Sequence, residues 1–287
     1  MDLSNYQSFL DSLLVILVLY ESDLETSESF QSVETCLEST NSTVDIFIYD
    51  NSRQKTNSLL NIYNSKIYYV WDSSNPGVSK AYNEASSVAK QLNKKWLLLL
   101  DQDTDFPTDI LMKYYLATIE QSSIYLFAPI LKSRSGKIYS PCKYIFSRGF
   151  SPKTFSGGAK SCRGLSLLNS GMLITLDTFV NTGKYDENLK LDFTDAEFIE
   201  RYKKIYDFFF IIDVEAIHDF SDFTDELSNS LSRYTRYCDS VSYMKSISSS
   251  FFDRITLLIF SCTRALKLSI KFKSLDFFIP LFKLLIS

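Results

Sequence analysis

The stretch "WLLLLDQDTDF", residues 96–106, sets four consecutive leucines in front of three aspartates spaced two apart. A short, wholly apolar run closed by polar residues reads as a strand buried on both faces. Such strands belong to sheets with helices on either side. Asp101, Asp103 and Asp105 then crowd together at its exit. Like charges this close repel one another wherever water is partly excluded, so the cluster calls for a cation or for a turn that splays it. Asp101-x-Asp103 offers the carboxylate oxygens that hard ions such as Mg²⁺ or Mn²⁺ take, with water and substrate phosphates completing the shell. The plainer reading is a solvated strand-to-helix turn in which one Asp caps the helix beyond Pro107.

Outward from this strand the same grammar repeats. "LLVILVLY" (13–20), "VDIFIY" (44–49) and "KIYYVW" (66–71) are short apolar, β-branched or aromatic runs, with helix-compatible segments at about 26–38 and at "VSKAYNEASSVAKQL" (78–92). Alternating strands and helices predict an open, mostly parallel α/β sheet with helices on both faces, in which ligands bind beyond the carboxyl ends of the strands. Those ends are Tyr20-Glu21, Asp50-Asn51, 72–75 and 101–105. Further on, the pattern predicts a helix to about Glu120, a strand at 124–131 with a hairpin around "SRSGK", and a mobile Gly/Ser/Lys-rich loop at 147–163. It also predicts a strand at 166–176 interrupted at Ser170-Gly171 by a close backbone approach. "DAEFIERYKK" (195–204) has acids in its first turn and bases in its last, as a helix does, and a buried strand at 208–220 carries the one histidine, His218.

At 287 residues, with 45% hydrophobic and 22% charged residues, the chain has the composition of a folded globular protein. A formal charge of −4 argues against a nucleic-acid partner, but it is unevenly spread. Residues 251–287 hold six Lys/Arg against two Asp, so a basic, Phe/Leu/Ile-rich tail follows an acidic body. That combination suits an anionic membrane surface. In "FFDRITLLIFSCTRALKLSIKFK", Phe251, Ile255, Leu258, Cys262 and Leu266 share one helical face, and Arg264, Lys267 and Lys271 fall largely on the other. "LDFFIPLFKLLIS" is expected to be an interfacial segment broken by Pro280. The plain alternative is a helical pair packed on the body, or a dimer interface. Five scattered cysteines form no C-x-x-C pair, which points to a reducing cytoplasm, and the N-terminal apolar run is too short for a signal peptide or a span. The expected division is residues 1–225 as the catalytic domain and 226–287 as the helical C-terminal region.

"VLY", "YDN", "NPGVSKAYN", "LLLLDQD", "NSGMLI" and "DFTDAEFIER", in this order, resemble the inverting nucleotide-sugar glycosyltransferases of family 2, and among them the rhamnosyltransferase-like branch that builds bacterial surface polysaccharides. The resemblance spans roughly residues 12–220 and implies a GT-A type fold. It implies that Tyr20, Asp50 and Asn51 hold the nucleoside and that Asn75, Gly77 and Asn83 contact the donor. It also makes Asp101 and Asp103 the D-x-D pair with Mg²⁺ or Mn²⁺ on the donor diphosphate, Asp195 the general base, and Arg201 the basic residue closing its motif. His218 falls where relatives place a histidine near the metal or diphosphate, although the glycine that usually follows is replaced by "DFSDF". Asp192 is the second candidate for the base, Glu197 is expected to point elsewhere, and Asp105 reads as a turn or cap residue. An acid at the position of Asp195 also favours the helix dipole without catalysing anything.

The implied reaction moves a sugar, with rhamnose suggested by the branch, from a dTDP- or UDP-linked donor to a lipid-linked oligosaccharide in O-antigen or capsule synthesis. The implied location is the inner face of the bacterial membrane, peripherally bound, with oligomerisation open. A sugar-nucleotide nucleotidyltransferase is the competing enzyme, but "LYESDLETS" lacks the glycine- and lysine-rich first loop that a triphosphate needs. A non-catalytic membrane-associated scaffold with a degenerate nucleotide fold is the competing non-enzyme.

Overall fold

A computed structural model of the chain describes residues 3–55, 65–218 and 226–286. The first half alternates as read: α1 (Leu3–Asp11), β1 (Leu13–Leu19), a 3-10 turn at Leu24–Thr26, α2 (Glu28–Thr40), β2 (Asp45–Asp50), β3 (Ile67–Trp71), α3 (Val78–Gln91) and β4 (Trp96–Asp101). Strands run in the order β3-β2-β1-β4, all parallel. The leucines of β4 divide between the two faces because successive side chains of a strand point oppositely. Leu98 and Leu100 join Phe30 and Val33 of α2 in one core, while Leu97 and Leu99 join Ala81, Tyr82 and Ala85 of α3 in the other. Ser27 starts α2 by accepting the Phe30 N–H at 3.2 Å, and Asn41 ends it in the left-handed conformation.

Beyond β4 the sheet becomes mixed. The chain continues through β5 (Thr104–Asp105), α4 (Ile110–Glu120), β6 (Leu126–Lys132), β7 (Ile138–Ser140), β8 (Cys142–Ile145), β9 (Arg148–Phe150), β10 (Gly158–Ser161), β11 (Leu165–Ser166) and β12 (Met172–Thr175). It then forms α5 (Leu176–Asn181), α6 (Thr194–Tyr202) and β13 (Phe208–His218). β12 lies antiparallel between β4 and β6, and β13 runs parallel to β6 with β10 antiparallel on its outer edge. β11, β8 and β9 make a separate three-stranded sheet.

Several expectations are corrected here. The segment 147–163 is not one loop, since β9 and β10 lie inside it and each pairs with a strand distant in sequence or folded back on it. The strand expected over 166–176 is two short strands. Gly171, at φ +77°, lies where a Cβ would stand 2.7 Å from Pro129, and Thr175 caps α5 by accepting the Thr178 N–H. That crowding is the close approach that the glycine signalled. Asp105 caps nothing, because it pairs with Ile217 in the β5–β13 bridge and α4 starts later, at Ile110. α1 was not anticipated; its Tyr6 and Phe9 rings pack on Tyr115.

The C-terminal part comprises α7 (Leu227–Ile247), α8 (Phe251–Phe272) and α9 (Phe278–Ile286). Pro280 does not break the last of these, because it sits in the first turn, where a missing N–H costs no intrahelical bond. A third core knits the helices to the body through Leu189, with Phe193 packed on it. α8 packs through Leu257, Ser261, Ala265 and Leu268, so Phe251, Ile255, Cys262 and Leu266 of the apolar stripe conspicuous in the sequence are left outside, and Leu258 alone of it packs on the core. The expected end of the last strand at 220 and the division at 225 lie outside the described residues. No helix among the described residues is long and apolar enough to cross a membrane.

Candidate active site

The exits of β1, β2 and β4 converge, as parallel topology requires. The side chain of Gln102 ties two of them together: its Oε1 accepts the Tyr20 N–H at 2.7 Å and its Nε2 donates to the Tyr20 carbonyl at 3.2 Å. Tyr20 itself is 37% exposed above this clasp. Asp50 is fully buried, and its carboxylate accepts the Ser52 N–H at 2.9 Å and the Tyr69 hydroxyl at 2.6 Å. Its visible work is to shape the loop after β2. Asn51 is buried beside it, with a side-chain oxygen that has no hydrogen-bond partner among the described residues. An orphaned buried acceptor at a strand exit is an opening for a ligand N–H.

Asp101 accepts the Tyr82 hydroxyl at 2.9 Å, which draws its carboxylate towards α3. Asp103 lies on the other side of the turn, one-third exposed, with Oδ1 3.5 Å from Nδ1 of His218. The β5–β13 bridge places Thr104 opposite His218, and the Thr104 hydroxyl joins Nδ1 of His218 (2.7 Å) to the Ser170 hydroxyl (2.6 Å). The D-x-D pair and the histidine therefore do meet at one strand tip. Among the described residues, however, no three His, Cys, Asp or Glu side chains converge to hold an ion. Asp103 with His218 fits the two-side-chain half of a shared site whose remaining ligands are phosphate and water oxygens.

Asp195 opens α6 and lies partly buried in the wall of a cavity of about 520 Å³. Burial pushes its carboxyl from the ordinary 3.8 up to about 7; the Ala196 N–H that it accepts at 2.7 Å pulls it down, while the charges of Asp101 and then Asp192 add to the rise. The D-x-D turn and the α6 acid thus feel each other across the site. Asp192 lines the same cavity, 4.0 Å from the Arg264 guanidinium.

Three residues expected at the donor are spent elsewhere. Arg201 grips Glu197 through Nε (2.6 Å) and Nη2 (2.7 Å) and donates to the Thr182 and Lys184 carbonyls, so its guanidinium ties α6 to the turn after α5. Glu197 is thereby turned away from the site, as its spacing from Asp195 foretold. Asn83 donates to the Tyr185 carbonyl and to Glu187, both at 2.9 Å, and accepts the Tyr185 N–H at 3.0 Å. Gly77, at φ +101°, lies where a Cβ would stand 2.2 Å from the Lys190 carbonyl oxygen, and that oxygen accepts the Val78 N–H at 2.8 Å. The glycine turn and α3 therefore hold the segment 185–190 that leads into α6. Asn75 precedes them in the left-handed conformation, partly exposed.

No sequence-family model matches the chain, and no curated protein matches it. Solved structures do. The chain superposes on residues 1–349 of S. aureus TarS with a TM-score of 0.51 at 14% identity, covering 86% of this chain and 68% of that one. It superposes on the longer TarS structure with a TM-score of 0.52 at 14% identity, covering 86% of this chain and 41% of that one. A third match is TarS 1–349 in complex with UDP-GlcNAc, with a TM-score of 0.52, 14% identity and coverages of 86% and 69%. The fold is GT-A. Within this GT-A frame the sequence did not single out Gln102, Tyr82 or Thr104, whose roles depend on partners more than ten residues away. Nor did it place Arg148 and Arg264 beside Asp195.

Proposed function

We propose that this chain is a nucleotide-sugar glycosyltransferase that works by single displacement with inversion. The observation that carries the reading is Asp195, which stands in a cavity wall with its carboxyl pushed up to about 7 by burial and within reach of the charge of Asp101 at the tip of a GT-A strand. In its ionised form it takes the proton of an acceptor hydroxyl as that oxygen attacks the anomeric carbon. A positioned base of this kind contributes about 10² to 10⁴ in rate.

Asp103 and His218, with Asp101 adjacent, would hold Mg²⁺ or Mn²⁺, and such an ion supplies Lewis-acid stabilisation to the departing diphosphate. Tyr20 and Asn51 border the nucleoside side, with Asp50 ordering their loop, and Asn75 lies towards the donor. The UDP-GlcNAc held by TarS supports a UDP donor for this chain, and the sequence resemblance supports dTDP-rhamnose. A thermal-shift panel of UDP, dTDP and GDP, each with and without Mn²⁺, decides between them. One nucleotide is expected to raise the melting temperature, and more so with metal. Unchanged melting with all three would refute the assignment.

We place the enzyme on an anionic membrane, acting on a lipid-linked glycan of O-antigen or capsule type. α8 and α9 turn Ile270, Ile279, Phe282 and Ile286 outwards, each more than half exposed, next to Lys271 and Lys283. An apolar strip flanked by cations suits a headgroup boundary. Ile270→Glu with Phe282→Glu should shift the protein from pellet to supernatant when sedimented with phosphatidylglycerol vesicles. Equal partitioning of variant and wild type would end the membrane placement.

A further inference from the structure

The cavity that holds Asp195 is bounded by the first turn of α6, the small β8–β9–β11 sheet, and helices α7 and α8. It is lined by three cations, Arg148, Arg264 and Lys267, against two acids, Asp192 and Asp195. Asp192 faces Arg264 at the edge of ion-pair range, at 4.0 Å. Neither Arg148 nor Lys267 has a carboxylate within 4.0 Å among the described residues. Both guanidiniums are held by rings, Arg148 3.4 Å from the centre of Phe260 and Arg264 4.5 Å from that of Tyr237. Stacking fixes a guanidinium by its face and leaves the N–H edge for an oxyanion, the arrangement suited to bidentate phosphate binding.

A neutral glycan needs none of this charge. We infer that the acceptor carries a phosphate or phosphodiester, gripped by Arg148, Arg264 and Lys267, so that a nearby hydroxyl of the same molecule is presented to Asp195. This deepens the glycosyl-transfer reading and rests on it. The bond formed joins that hydroxyl oxygen to the anomeric carbon, the proton goes to Asp195, and the nucleoside diphosphate leaves from the donor, so the acceptor phosphate is unchanged. The residues beside the cavity suggest where such a group comes from. The β8–β9 turn exposes Ile145 and Phe146, and Phe146 meets Phe252 of α8 at 5.6 Å between ring centres. A basic cavity next to an apolar rim admits a lipid phosphate, and the cavity alone admits a soluble phosphodiester chain.

The test uses the full-length protein and two probes. One is a soluble glycerol-phosphate oligomer, titrated by calorimetry. The other is a phosphatidylcholine vesicle with and without a polyprenyl phosphate, scored by co-sedimentation. At least one probe should bind saturably to wild type, and Arg148→Gln combined with Lys267→Gln should weaken that binding at least tenfold. Arg148→Lys with Lys267→Arg should recover most of it. Circular dichroism confirms that each variant is folded. Binding of the oligomer identifies a polymer source, and binding only to phosphate-bearing vesicles identifies a lipid source; either supports the inference. No phosphate-dependent binding, or equal binding by folded wild type and Gln variant, overturns it. The nucleotide melting shift of wild type reports the donor site separately. Phosphate binding without any nucleotide response would therefore defeat glycosyl transfer while leaving the phosphate cavity standing.

Discussion

Asp195→Asn lowers turnover by about two to four orders of magnitude while nucleotide binding stays within a factor of about two of wild type, because the amide keeps the shape and cannot take a proton. The same substitution has a second signature, which reports the raised pKa of the group. Asp195 is held near 7 in the folded protein against 3.8 ordinarily, so between those values the native state keeps a proton that the unfolded chain has already lost. Stability contributed by this group is therefore full below about pH 4 and declines as pH rises through 7. The interval corresponds to no more than about 4 kcal/mol. The Asn protein, neutral at every pH and still able to accept the Ala196 N–H, escapes that loss. Its melting temperature should match wild type near pH 4 and exceed it at pH 8, while wild-type kcat/KM rises with an apparent pKa near 7. Chemical denaturation across pH and a donor-consumption assay measure both. A variant that turns over normally would remove Asp195 as the base, and one that is no more stable at pH 8 than at pH 4 relative to wild type would remove its raised pKa.

Asp103→Ala abolishes the Mn²⁺-dependent part of nucleotide binding. The expected weakening is at least tenfold in Kd, which corresponds to about 1.4 kcal/mol. One-third exposed at a turn, Asp103 contributes little to folding, so the melting temperature without ligand should barely move. Asp105→Ala is the matched control: it is exposed, on β5, and two residues along. Calorimetry with and without Mn²⁺ reads the difference. Identical Kd values for wild type and Asp103→Ala in the presence of Mn²⁺ would take the ion away from this strand tip.

What was legible in the sequence was local and periodic. The leucines of β4, the apolar runs of β1 and β2 and the glycine turn into α3 announced a parallel half-sheet, because both faces of those strands are buried and their periodicity shows it. The antiparallel half was harder. β10 and β12 are four residues each, and their pairing with β13, β4 and β6 is decided by contacts that no short window contains. The candidate site divides the same way. The positions of Asp101, Asp103 and His218 at one strand tip, and of Asp195 in the first turn of α6, could be read because strand ends and helix starts are marked by residue type. Arg201, Asn83 and Gly77 were assigned to the donor, yet much of what they meet is backbone of 182–190, alongside the Glu187 and Glu197 carboxylates, and backbone partners carry no signal in the side-chain alphabet. α8 shows the reverse error of inference: its conspicuous apolar stripe faces out, and the small residues Ser261 and Ala265 face in, because close helix packing favours small side chains.

The carbonyl of Lys190 resting on the leading amide of α3 carries its own consequence. A helix entered through a glycine turn normally presents its positive pole to anions. Here a crossing piece of backbone takes the first amide of that pole, so α3 has less of it left to offer an anion. On the glycosyl-transfer reading proposed above, the charge shed by a departing pyrophosphoryl group would fall to a bound cation or to long basic side chains, and one backbone oxygen seated over the end of a helix is what shifts the task to them.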